Sequence, residues 1–131
     1  MFQIYLKGQA EELFDSLAQK VIEGTFNKDE GELYKKIRKA IQQLETNPRY
    51  PGLNSHEIDV LTKKYKVRIW ESYLENKRSG ARRIFWIYGP ESQEITIVAI
   101  EKHPESGAKA YQNINLEIAP VKKKTKSKKK K

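Results

Sequence analysis

The chain has 131 residues, enough for one hydrophobic core without staples, and no cysteine, which excludes disulfides and thiolate metal sites. Its formal charge of +9 is concentrated at one end: Lys122–Lys131 holds 8 lysines and no acid, leaving 18 basic against 17 acidic residues elsewhere. Net charge is therefore poor evidence for nucleic-acid binding, and the placement of charges must carry any such reading.

Phe2–Leu6 alternates apolar and polar residues as a short opening strand does. Gln9–Ile22 carries Leu13, Leu17 and Val21 on one helical stripe, and Gly24 ends it. Asn27 and Glu30 have capping-box spacing, opening a second helix that runs to about Glu45 with Leu33, Ile37, Ile41 and Leu44 on its apolar stripe. Its other face is Lys35, Lys36, Arg38 and Lys39. Two prolines and Gly52 break the pattern, and a loop follows in which His56 is read as a surface residue.

Three strands are expected next, at about 66–74, 82–88 and 95–102, joined by turn-rich connectors of hairpin length. Their β-branched and aromatic residues suit a half-buried antiparallel sheet, with the helical hairpin on one face. Trp70 and Trp86 are expected to pack between sheet and helices. His103-Pro104 opens a short last helix reaching Ile114, and the lysine run past Pro120 is expected to be disordered by self-repulsion. The fold class is thus α+β, with one domain over 1–119 and a tail over 120–131. No stretch approaches the ~20 apolar residues of a membrane span. The start lacks the pattern of a signal peptide, so a cytoplasmic protein with no membrane partner is expected.

Each predicted strand places a cation or an imidazole at its body or end: Lys66 and Arg68, then Arg82 and Arg83, then Lys102 and His103. Buried sheets avoid charge unless it is paired or used, so these residues point to a face that holds phosphate. Two histidines without metal-ligand spacing, no thiol and no glycine-rich phosphate loop leave metals and nucleotide cofactors without support.

Tyr65-Lys66-Val67-Arg68, Ala81-Arg82-Arg83-Ile84-Phe85-Trp86, and Ile100-Glu101-Lys102-His103 with Tyr111 further on resemble the strand motifs of the RelE/ParE toxin superfamily. The order of strand, helix pair and three strands is similar to that family's over about Met1–Leu116. The resemblance implies a RelE-like toxin of a type II toxin–antitoxin system. Such a protein would be a metal-independent endoribonuclease that cleaves mRNA on the ribosome and is silenced by a cognate antitoxin. The alternatives are a ParE-like toxin that binds DNA gyrase and cleaves nothing, or an inactive partner-binding module of the same fold.

In the nuclease reading a base activates the ribose 2′-hydroxyl, cations stabilise the phosphorane, and an acid protonates the leaving 5′-oxygen. The candidates are Lys66 and Arg68 on one strand face, Arg83 beside them, His103 as acid or base, and Tyr111 to stack on a base or orient the phosphate. Arg82, pointing the other way, is expected to be structural or solvent-facing. Basic residues paired internally with Glu71, Glu75 or Glu101 would instead favour the binding protein.

Overall fold

The helices form where the apolar spacing puts them. In a computed structural model, which describes residues 1–75 and 81–102 and, beyond those, Tyr111, Ile114, Leu116 and Ile118, α1 spans Gly8–Glu23 and α2 spans Lys28–Thr46. Gly24 closes α1 at φ 74, a left-handed conformation that glycine adopts without a Cβ penalty. The capping box is made in full. The Asn27 side chain accepts from the Glu30 N–H at 2.8 Å, and the Glu30 carboxylate accepts from the Asn27 N–H at 2.9 Å. Asn27→Ala is expected to cost about 1 kcal/mol. A lower urea midpoint at unchanged m would show it.

The strands are β1 (Gln3–Leu6), β2 (His56–Glu57), β3 (Trp70–Tyr73), β4 (Arg82–Tyr88) and β5 (Glu94–Lys102), with a short helix α3 at Asp59–Tyr65. They form one sheet in the order β1-β5-β4-β3-β2. Strands β2 to β5 pair antiparallel, as expected, but β1 lies parallel to β5, so the sheet is mixed. A parallel neighbour needs a long crossover, and here all the chain between β1 and β5 supplies it. Alternation within a strand does not reveal its neighbour.

The strand expected over 66–74 is shorter than its residues suggested. Lys66 is not in it: at φ 61 it closes α3, its N–H on the Thr62 carbonyl at 2.8 Å. Seven residues with Leu61 alone fully buried show too little periodicity to read as a helix.

Alternation gives the sheet two faces. Trp70, Ile84, Trp86, Ile95, Ile97 and Ile100 pack against Leu17, Leu33, Ile37 and Leu44 of the helical hairpin. Each side chain so buried contributes about 1.5–3 kcal/mol. Trp70 and Trp86 stack at 5.6 Å within this core, as expected. Phe85, Val98 and Ala99 face the other way, toward Ile58, Leu61, Ile69, Ile114 and Leu116.

The register shifts between Phe85 and Trp86, which pair with Ala99 and Ile97, leaving Val98 as the extra residue of a bulge. The bulge resets the alternation of β5. Ile100 stays on the hairpin side, and Glu101 comes opposite Arg83 on the second face. Among the described residues no helix is long and apolar enough to cross a membrane. The expected last helix from His103 and the lysine-rich tail lie outside the described residues, Tyr111 and Ile114 apart.

Candidate active site

The second face of the sheet carries a polar cluster inside an otherwise apolar layer. Glu71, at the second position of β3, is wholly buried. Such a carboxylate must be partnered. Register sets His56 of β2 directly opposite, and its Nε2 lies 2.9 Å from Glu71 Oε1. The other ring nitrogen, Nδ1, lies 2.8 Å from the Asn54 carbonyl, on the exposed side. A carbonyl only accepts, so Nδ1 donates. Nε2 is thus the nitrogen turned to the carboxylate. The imidazole is about half exposed, at 47 %.

Tyr111 covers the carboxylate from the other side, its hydroxyl donating to Glu71 at 3.2 Å to Oε1 and 3.3 Å to Oε2. Its ring sits edge-on to Phe85, 6.4 Å between centroids. Burial, then the Glu71 charge, push this hydroxyl far above the ordinary tyrosine range, with the Arg83 guanidinium pulling the other way. A hydroxyl whose proton is held more tightly when folded contributes stability at neutral pH that is lost as pH rises past about 10, where the unfolded tyrosine ionises. Tyr111→Phe is therefore expected to flatten part of the alkaline fall in stability above that pH. Melting temperatures of the two proteins from pH 8 to 11 give the comparison, and parallel curves would contradict the assignment.

Arg83 completes the cluster from β4. Its guanidinium lies 3.8 Å from the Tyr73 ring centroid, and Nη1 donates to the Glu75 carbonyl at 2.9 Å and to the Arg82 carbonyl at 3.3 Å. Only 7 % of the residue is exposed, and Nε is buried without an acceptor among the described residues. One N–H of a strong bidentate donor is thus left unused.

The expected triad of Lys66, Arg68 and Arg83 is not assembled. Lys66 lies at the end of α3, not on a strand. Arg68 bonds Glu57 through Nη2 at 3.0 Å and lies over the Trp70 ring, which faces the hairpin, whereas Arg83 lies over Tyr73 on the opposite face. That bond, and a second from Thr62, hold the Glu57 carboxyl below the usual carboxylate range. Arg82 pairs within the fold, its Nη1 3.7 Å from Glu75 Oε1, and Lys36 reaches the same carboxylate group at 2.9 Å. Tyr111 is packed edge-on to Phe85, and its hydroxyl holds the Glu71 carboxylate. His103 lies outside the described residues.

The residues missed in the sequence are His56 and Glu71. Glu71 had a signal, an acid in the interior of a strand between Trp70 and Tyr73. The two-residue β2 that brings His56 to it is too short to show any alternation. Among the described residues no three His, Asp or Glu side chains group as metal ligands. Comparison of the chain with family models, with curated proteins and with solved structures gives no match.

Proposed function

We propose that the chain is a RelE-like endoribonuclease that cleaves mRNA by 2′-hydroxyl attack on the adjacent phosphate, with His56, Glu71, Arg83 and Tyr111 as its site. The observation that carries this reading is the wholly buried Glu71 carboxylate 2.9 Å from a half-exposed imidazole, beside a guanidinium with an unused N–H. A buried acid behind a histidine orients the ring and stabilises its charged form, which is how a proton-transferring histidine is commonly supported.

His56 in the doubly protonated form hands a proton to the leaving 5′-oxygen. The Nδ1 contact with Asn54 is exposed, so a substrate oxygen replaces that carbonyl at small net cost. Arg83, its guanidinium buried over Tyr73, stabilises the charge of the phosphorane, and the 2′-hydroxyl proton is left to His103. The attack expels the 5′-oxygen and leaves a 2′,3′-cyclic phosphate. In this reading Glu71 positions His56, and Tyr111 positions Glu71. The target on the ribosome and the silencing antitoxin follow from the resemblance.

A second reading, a ParE-like protein that binds gyrase or another partner, is favoured by the internal pairing of Lys36 and Arg82 with Glu75 and of Arg68 with Glu57. Induction in a bacterial host separates the two. The nuclease reading expects growth arrest with normally supercoiled plasmid. Arrest accompanied by relaxed plasmid would favour the gyrase binder.

A further inference from the structure

A groove of about 430 Å³ runs along α2 where the end of α1 meets it, with Phe26, Gly31, Tyr34, Lys35, Arg38 and Lys39 in its lining. Its size is that of a small-molecule site, which spans roughly 300–1,000 Å³. One end carries a ring. A Cβ built on Gly31 would lie 2.9 Å from two atoms of the Phe26 ring, so the glycine lets that ring rest on α2, and 44 % of the residue is still exposed. The other end carries charge. Lys35, Arg38 and Lys39 fall within about 6 Å of helix rise, the first of them one turn past Gly31. Among the described residues no ion pair reaches any of the three, and no acidic residue stands between Leu33 and Leu44. Tyr34 is already covered, with Phe14 stacked on it at 5.4 Å and the Arg38 guanidinium over it at 5.8 Å. It steadies the guanidinium, and Phe26 is the ring left open.

A ring followed by three cations suits one ligand chemistry, an aromatic base joined to a short run of phosphates. The base packs on Phe26, and the phosphates lie against two ammonium groups and a planar guanidinium fork. A strand of nucleic acid fits less well. Its phosphates would continue past both ends of the groove and need cations there. Along α2, Asp29 and Glu32 stand ahead of the three cations and Glu45 beyond them. The positive charge is therefore compact, as the negative charge of a polyphosphate is. The sequence has no glycine-rich phosphate loop, and here side-chain cations on a helix face take the place of such a loop's backbone N–H groups.

We propose that this groove binds a free nucleoside polyphosphate, apart from the polar cluster on the sheet and independent of whether that cluster cleaves RNA. The probe is ATP, titrated into the full chain with AMP and inorganic tripolyphosphate in parallel. Binding is followed by NMR at the amides of Phe26, Gly31 and Lys39, which read the groove and not the lysine-rich end. Saturable shifts are expected with ATP, at lower concentration than with AMP or tripolyphosphate. Phe26→Ala is expected to weaken ATP about fivefold or more and to leave tripolyphosphate unchanged. Gly31→Ala, whose Cβ would meet that ring, serves if Phe26→Ala does not fold. Lys35→Gln with Lys39→Gln is expected to weaken ATP and tripolyphosphate alike, by about tenfold or more. Absence of saturable shifts, shifts confined to other residues, or ATP binding unchanged by loss of the ring would overturn the proposal. So would tripolyphosphate binding the groove as tightly as ATP, or an RNA oligonucleotide moving the same amides at lower concentration than ATP.

Discussion

With glutamine in place of Glu71, the proposed RNA cleavage is expected to fall by about 10²–10⁴-fold, the scale of lost acid–base catalysis, while the fold survives. Glutamine has nearly the same shape. Its oxygen can accept from the Tyr111 hydroxyl, and its amide can donate to His56 Nε2 once the ring is neutral. The packing is kept and the charge behind the imidazole is lost, so in the nuclease proposal His56 loses the carboxylate that supports its proton transfer. Cleavage measured at saturating substrate, with circular dichroism and melting as the fold controls, reads the effect. A folded Glu71→Gln protein that cleaves like the parent would leave the carboxylate a purely structural role.

Arg83 has the second large expected effect, and the structure changes how it must be tested. Read as a strand cation, it invites Arg83→Ala as a harmless deletion. The guanidinium is instead buried over Tyr73 and bonded to the Glu75 carbonyl, so alanine opens a void and removes that bond. Arg83→Lys keeps the charge and most of the packing but loses the planar fork. Its cleavage is expected to fall by about 10²–10³-fold, as for loss of one preorganised donor to developing charge. Its melting temperature is expected to fall less than that of Arg83→Ala. Parent-like cleavage by Arg83→Lys would show that phosphate does not reach the guanidinium fork.

What was legible in the chain was the local pattern. The helix stripes of Leu17 and of Leu33, Ile37 and Leu44, the Asn27–Glu30 cap and the β4 and β5 segments all came from regular spacing over several turns or pleats. Legibility failed where elements are short or where register decides. Helix α3 spans seven residues and ends on a left-handed Lys66, where glycine or asparagine would have signalled the stop. Strand β2 has two residues, yet it sets His56 on Glu71. The bulge at Val98 lies in an unbroken apolar run, so nothing in Ile95–Ile100 announces that the faces exchange there. Arg83 stands out because a charge inside a strand demands an explanation. Glu71 meets the same criterion, but from the sequence alone it also fits as a cross-strand partner for arginine.

Single-turnover cleavage of a defined mRNA on programmed ribosomes, with both new ends identified, tests the nuclease proposal most directly. The expected result is scission by the parent that leaves a 2′,3′-cyclic phosphate upstream and a 5′-hydroxyl downstream, with little product from a folded Glu71→Gln protein. Intact mRNA with the parent, or ends bearing a 5′-phosphate, would contradict it.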